Sequence, residues 1–434
     1  MENFDILFKN AVIILNREKF IERGFLGIKN GRVEYVSDKE PRVKAKEIID
    51  STDKIISPGF FNTHTHIPMT LLRGFADDLP LMEWLKEYIW PLEAKLLSPS
   101  YVREGTYAGL LEMIKSGTIG FIDMYFFEEE VAECVDKAGI YGCLSIGILD
   151  FKTPYYKDSK EAIKKTEKLM EDFKNHERIK ICPGPHAIYS CSKETIILSV
   201  SLAKEKGERI HIHLSETKRE VEDSLKNFNK TPVFYLSETG IFDLNVIAAH
   251  CVYLTDEEIE FLKDKNFYIS HNLTSNLKLA SGIAPLLKYK EKGLFITIGT
   301  DSASSNNNLD MLREMKFVSL VHKGKELNPT LFSAREIFDM ATRKGAIAMG
   351  FKDTGEIKEG MSADIVIFDP YKENTIPFYD PYSYIVYSAG KGSIRSVMVK
   401  GRWILKDYEF KTIDEERILK EVGKWRKKIK NISL

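Results

Sequence analysis

Two histidines two residues apart, His64 and His66, stand in the segment Gly59-Phe60-Phe61-Asn62-Thr63-His64-Thr65-His66. On a strand, side chains at that spacing face the same way, so both imidazoles can reach one point. Neutral imidazole is a ligand for Zn²⁺ and for Fe²⁺. A second pair, His211 and His213, closes the run Ile210-His211-Ile212-His213. His213 adjoins the end of that run, and His211 is expected one layer deeper, as a hydrogen-bonded residue of a lumen. Glu216, three residues on, can shuttle a proton beside a metal site, or open a helix near its positive dipole end. Asp301 follows Thr297-Ile298-Gly299-Thr300 and opens a loop of small residues. It can bind a metal and accept a proton from water, or cap the next helix. His250, in Ala249-His250-Cys251-Val252, can orient a water or be a satisfied core residue. His322 and His176 are assigned to structure, and Cys251 to the core.

These residues share a position. A His or Asp ends nearly every short apolar run: His64 and His66, His186, His213, His250, His271 and Asp301. Helical segments intervene, such as Ser159 to Asn175, and Thr255 to Lys265 with its Thr255-Asp256-Glu257-Glu258 capping pattern. Such alternation over about 300 residues predicts a parallel (β/α)8 barrel of the TIM type, distorted in detail. The rim at the strand C-termini is where barrel enzymes gather residues distant in sequence. Strand texture also marks both ends of the chain. Phe25 to Val36 reads as a hairpin around Asn30-Gly31, and Ala363–Phe368 and Ser396–Ile404 as further strands. The expected division is residues 1–57 and 356–434 in one small β-sandwich domain, with the barrel over 58–355. Asp414 to Lys430 is expected as a charged surface helix.

Bulk properties narrow the function classes. The 434 residues carry 63 Lys and Arg against 64 Asp and Glu, so no basic surplus points to nucleic acid. The five cysteines form no C-x-x-C pair, which fits a reducing cytoplasm rather than a disulfide framework or a thiolate zinc site. Met1-Glu2-Asn3-Phe4-Asp5 has no basic segment leading an apolar one, so no signal peptide is expected. No apolar run is long enough to span a bilayer.

Pro58–His66, His213-Leu214-Ser215-Glu216, His250-Cys251-Val252, Ser270-His271-Asn272 and Gly299-Thr300-Asp301 resemble the amidohydrolase superfamily, in its motif order and over essentially the whole chain. His66-Ile67-Pro68-Met69, Glu83-Trp84-Leu85, Pro91-Leu92-Glu93, Asp123-Met124-Tyr125-Phe126 and Ser275–Leu279 narrow it. They resemble the 5-methylthioadenosine/S-adenosylhomocysteine deaminases. The resemblance implies one divalent metal per chain on His64, His66, His213 and Asp301, zinc first, with iron or manganese as alternatives. It implies catalytic roles for Glu216, His250 and Asp301. It implies Glu93 on the ribose hydroxyls, His186 and Glu216 on the purine, Trp84 in the pocket wall, and Asp301 and His271 as further substrate contacts. The implied reaction is hydrolytic deamination of an adenine nucleoside to the inosine analogue, in a cytoplasmic homo-oligomer.

Two departures bear on the substrate. Ile146 stands where close relatives carry an Arg for the substrate's amino-acid tail, and Phe151–Lys157 has no Arg either. Small uncharged 5′ groups are therefore expected to be preferred over S-adenosylhomocysteine. Ile188 stands before Tyr189, where relatives often carry Pro, which bears on the loop behind His186. The competing readings are a guanine, triazine or aminodeoxyfutalosine aminohydrolase on the same scaffold, a two-metal cyclic-amide hydrolase, and an inactive binding scaffold. The two-metal reading needs a Lys at a strand end, and Lys180 lies inside its run.

Overall fold

Eight apolar runs become parallel strands in the computed structural model, which describes residues 4–432 apart from 372, 374 and 391. Met1–Asn3, on which the expectation of no signal peptide partly rests, lie outside the described residues. One arc runs Phe60–Thr65, Thr118–Tyr125, Tyr141–Ile148, then the short pieces Ile179–Ile181 and Gly184–Pro185. The fourth strand is broken because Pro183 has no N–H to give a ladder. The other arc runs Ile210–Leu214, Val246–His250, Phe267–His271 and Phe295–Ile298, each pair parallel. Backbone bonds join the arcs on both sides. His211 N donates to Pro183 O at 3.1 Å and His213 N to His186 O at 2.9 Å, while Asp301 N donates to His64 O at 2.9 Å. The parallel sheet thus closes into the expected distorted barrel. Its strands are covered on both faces, which is why most of them read as continuous apolar runs, with the alternating Ile210-His211-Ile212-His213 an exception.

Close approach at the seam depends on Gly299. A Cβ there would lie 2.4 Å from Ser270 Oγ and 2.8 Å from His64 N. No side chain fits where the eighth strand meets the first.

The two ends of the chain share one mixed sheet of nine strands. Its main path runs Glu409–Phe410, Arg402–Lys406, Ile394–Val399, Ile365–Phe368, Ile55–Pro58, Phe4–Ile14, Phe20–Lys29 and Arg32–Ser37, with Ala45–Asp50 also paired to Phe4–Ile14. A bridge from Arg32 to Ser362 ties its far edge back, around a core that includes Ile6, Phe8, Leu26, Ile28 and Ile365. The Asn30-Gly31 hairpin forms with φ of 50° and 74°. A Cβ on Gly31 would also meet Lys400 O at 2.6 Å, so packing and conformation both demand glycine there. The apolar runs Ile6-Leu7-Phe8 and Ala11-Val12-Ile13-Ile14 belong to a single strand, Phe4–Ile14. Asn10, at φ 64°, makes a bulge between them.

Two helical segments flank the barrel with distinct roles. The segment after the first barrel strand loosens into a π-helical turn over Trp84–Ile89, where Trp90 N reaches back to Leu85 O. Pro91 supplies no N–H to continue a regular ladder, and π turns of this kind frequently mark functional sites. The C-terminal helix Glu415–Lys430 is charged, as expected, yet it also buries Ile418, Trp425 and Ile429. Trp425 stands edge-on to Tyr101 at 5.5 Å, anchoring this helix to helix Pro99–Lys115.

Candidate active site

The rim of the barrel brings His64, His66, His213 and Asp301 together. His66 Nδ1 lies 2.5 Å from Met124 O, and His213 Nδ1 lies 2.9 Å from His186 O. A carbonyl only accepts, so both Nδ1 atoms carry the proton, and in the neutral imidazoles both Nε2 atoms are bare. Those two bare nitrogens are 3.3 Å apart. With a lone pair on each they cannot bond one another, and their arrangement calls for a cation between them. His64 supplies a third donor. Its Nδ1 is 3.0 Å from His211 Nε2, whose other nitrogen reaches Ser145 Oγ at 3.3 Å. His211 therefore occupies the deeper, hydrogen-bonded position.

His64 Nε2 is buried with no hydrogen-bond partner. Asp301 Oδ1 completes the set at 3.5 Å from His64 Nε2 and 3.4 Å from His66 Nε2, too long for made hydrogen bonds but suited to sharing a metal. Burial holds the His64 pKa down to about 4 and that of His213 well below the usual imidazole range. Both are neutral at pH 7, the form that binds metal. Burial raises the Asp301 carboxyl, but the surrounding imidazoles, His64 first and then His66 and His250, outweigh it and hold it well below its ordinary value. The donor set fits one divalent metal.

Around this centre the loops are strained. Ser215, His250 and Asp301 have φ of 50°, 74° and 63°, left-handed values that a non-glycine residue adopts at a cost. Asp301 is held by Ser275 Oγ at 2.6 Å, Ser305 Oγ at 3.0 Å and the Ser302 amide at 2.7 Å. His250 Nδ1 meets Asn276 Oδ1 at 2.8 Å, which leaves Nε2 facing Glu216 Oε2 at 3.8 Å. Burial lowers the His250 pKa, but the carboxylates of Glu216 and Asp301 outweigh this and raise it. Burial raises Glu216. Ser281 Oγ donates to Glu216 Oε1 at 3.3 Å. Glu220 accepts the amides of Ser215 and Glu216 at 2.9 and 2.8 Å, fixing the turn that carries Glu216.

The centre opens into a partly enclosed cavity at the barrel rim. Glu216, His250 and His186 line it near the ligands, and Trp84, Trp90 and Glu93 come from the segment after the first barrel strand. Tyr125 donates its hydroxyl to Glu93, whose pKa burial lifts to about 7. His186 Nδ1 is held by Ser190 Oγ at 2.8 Å. No Lys or Arg is among the described residues lining the cavity.

His271 and Ile146 both stand away from the cavity. His271 does not line the cavity. It is fully buried, with Nε2 3.0 Å from His322 Nε2 on helix Met311–Lys325. Its neighbour Ser270 turns the other way, to Thr63 Oγ1 at 2.8 Å. Ile146, standing where close relatives carry an Arg, does not line the cavity either. It is buried in the apolar layer, while Gly147 and Leu149 line the cavity. His176 bonds Asp136, outside the site, and Lys180 lies over the Phe351 ring. Sequence reasoning missed Asn276, Ser281, Ser305, Glu220, Trp90 and Tyr125 as site residues. Asn276 and Tyr125 stand inside the motifs Ser275–Leu279 and Asp123–Phe126, but their partners are evident only in space.

Residues 55–404 match the model of the amidohydrolase family. The chain is 43% identical to a 5-methylthioadenosine/S-adenosylhomocysteine deaminase of Aquifex aeolicus, over 99% of this chain and 98% of that one. It is 44% identical to a 5′-deoxyadenosine deaminase of Methanocaldococcus jannaschii, over 95% and 97%. Among solved structures, an adenosine deaminase from Xanthomonas campestris with bound zinc superposes with a TM-score of 0.96 at 31% identity, over 99% of this chain and all of that one.

Proposed function

The chain belongs to the amidohydrolase family, and we propose that it removes the 6-amino group of an adenine nucleoside by hydrolysis, giving the inosine analogue and ammonia. The observation that carries this reading is the convergence of bare His64, His66 and His213 nitrogens with Asp301, in a cavity that also holds buried Glu216 and Glu93. His64, His66, His213 and Asp301 would hold the metal. The zinc of the Xanthomonas campestris deaminase supports zinc, and the donor types also suit iron or manganese. When bound, the metal lowers the pKa of a water and so supplies hydroxide near neutral pH.

The protein's own groups do the rest. Asp301, gripped by Ser275 and Ser305, and His250, held by Asn276, orient the attacking water and take its proton. Glu216, whose pKa burial raises, donates its proton to purine N1 as C6 is attacked; the proton taken from the water passes from Asp301 to the amino group, which leaves as ammonia, and the C6 hydroxyl proton returns to Glu216 as C6 becomes the carbonyl. His186 contacts the purine. Trp84 closes the wall. Glu93 accepts the ribose hydroxyls, so Glu93→Ala is expected to raise KM for nucleosides about 10- to 100-fold. Free-base turnover, assayed with adenine, is expected to keep its efficiency. Equal losses on both would contradict the ribose assignment.

The apolar cavity without a cation supports a preference for small uncharged 5′ groups. The kcat/KM for 5-methylthioadenosine and 5′-deoxyadenosine is expected to exceed that for S-adenosylhomocysteine by roughly tenfold, the scale of one unmade bond to a charged group. A panel assay in which S-adenosylhomocysteine does as well or better would remove this preference. The reading takes residues 58–355 as the catalytic barrel, with 1–57 and 356–434 as the attached β domain. It also takes the enzyme as a cytoplasmic homo-oligomer with no nucleic-acid partner. Five unpaired buried cysteines support a reducing compartment. Among the described residues no helix is long and apolar enough to cross a membrane.

A further inference from the structure

Three rim loops meet at one ammonium. Lys278, the last residue of helix Leu273–Lys278, donates to Asp77 Oδ1 at 2.6 Å and to Ser304 O and Asn307 Oδ1 at 3.0 Å each. An ammonium has three N–H groups, and all three are used. Asn307 Nδ2 donates to Asp77 Oδ2 at 2.8 Å, so the carboxylate is held at both oxygens. Arg73 adds a further tie, donating to Asn307 O at 2.7 Å while pairing with Glu112. The loops joined in this way follow the first, seventh and eighth barrel strands. The backbone of the knot is left-handed at Ala76, Asp78 and Asn307, with φ of 59°, 63° and 65°. Such conformations persist in non-glycine residues where the surroundings impose them.

The knot stands where the chain has little else to hold it. No residue from Arg73 to Glu83 is buried, and Phe75, Leu79 and Leu81 pack only partly against the core. Next comes the segment Leu81–Leu96, six of whose residues line the cavity, Trp84, Trp90 and Glu93 among them. Its far end is tied separately, by Tyr125 on Glu93 and by the Trp90 ring against Phe151 at 5.6 Å. Its near end depends on Asp77. Helix Leu273–Lys278 has other anchors: Thr274 N donates to Glu314 Oε1 at 2.9 Å, Ser275 bonds Asp301 and Asn276 bonds His250. The knot therefore bears on the cavity wall rather than on the metal ligands. We propose that Lys278 is a positioning residue for the substrate: through Asp77 and Asn307 it latches the segment Leu81–Leu96 to the rim and so sets where Trp84, Trp90 and Glu93 meet a nucleoside. The inference rests on the reading of this cavity as the nucleoside site.

Lys278→Met, which keeps the stem and removes the charge, tests this beside Asp77→Ala and the double variant, each on the full zinc-loaded chain. Each single variant is expected to raise KM for 5′-deoxyadenosine about tenfold, the scale of a lost bond to a charged group, with kcat within about threefold and zinc content unchanged. The double variant is expected to cost about as much as one single variant, because the two side chains act as a unit. Acrylamide quenching of tryptophan emission reads the wall without a substrate. Trp84 and Trp90 lie on the segment, whereas Trp403 and Trp425 lie on strand Arg402–Lys406 and the C-terminal helix. Quenching is expected to rise in all three variants. Asn307→Ala, which leaves the ion pair, is expected to give a smaller rise in KM and serves should Lys278→Met fail to fold. The proposal is overturned if Lys278→Met matches the wild type in KM and quenching, as a role in packing alone would have it, or if the single losses multiply to about 100-fold in the double variant. It is also overturned if zinc content or kcat falls as far as KM rises, because Lys278 would then serve the helix that holds Asp301 and His250. A wild type inactive on 5′-deoxyadenosine, with quenching still raised in the variants, would support the latch and remove only the nucleoside reading.

Discussion

Asp301→Ala is expected to lose its metal and to lower kcat/KM by at least about 10⁴-fold, because free water at neutral pH is on the order of 10⁸ poorer in hydroxide than water with a pKa near 7. The size of the effect comes from Asp301 holding two positions at once. Oδ1 lies 3.5 and 3.4 Å from the bare nitrogens of His64 and His66, as the anionic member of an otherwise neutral donor set. Oδ2 is fixed by Ser275 and Ser305, aimed for proton transfer. Metal content measured beside kinetics separates the two. A variant that keeps full metal and near-normal turnover would contradict both assignments.

Glu216→Gln is expected to lower kcat about 10²- to 10⁴-fold with metal content unchanged. The carboxamide keeps the size of the side chain and its contact with Ser281, but it cannot deliver a proton to the purine. Glu216 is almost fully buried, and burial favours its neutral form, which is the form that donates. It lies 3.8 Å from His250 rather than against the metal ligands, so metal affinity should not respond. A loss of metal equal to the loss of activity would place Glu216 among the ligands instead.

The barrel was legible because its strands are short, apolar and punctuated. A His or Asp at the end of a run marks the rim whatever the register, and His64, His66, His186, His213, His250 and Asp301 all reach the cavity or its metal centre. What was not legible was parity. In strands buried on both faces the apolar pattern does not say which residues point inward. His271 ends its run like the others but turns outward to His322, and Ile146 lies between Ser145, bonded to His211, and the cavity-lining Gly147. The C-terminal helix hid its packing for a related reason. Its three buried residues, Ile418, Trp425 and Ile429, are too sparse to stand out from the charge around them. Residues that hold other residues, such as Asn276 on His250 or Glu220 on the Ser215-Glu216 amides, carry no spacing signal, because their partners come from other strands or from the geometry of a strained turn.

We propose that the His64, His66, His213 and Asp301 centre works on an adenine nucleoside. The most direct measurement is ammonia release from a panel of adenine nucleosides, with the metal-loaded protein and after treatment with a chelator. Ammonia from 5-methylthioadenosine or 5′-deoxyadenosine, lost with the chelator and restored by added metal, is the expected result. A metal-loaded protein that releases none from any adenine nucleoside, or one that releases it undiminished after the metal is removed, would show that this centre does not deaminate adenine nucleosides by a metal-bound route.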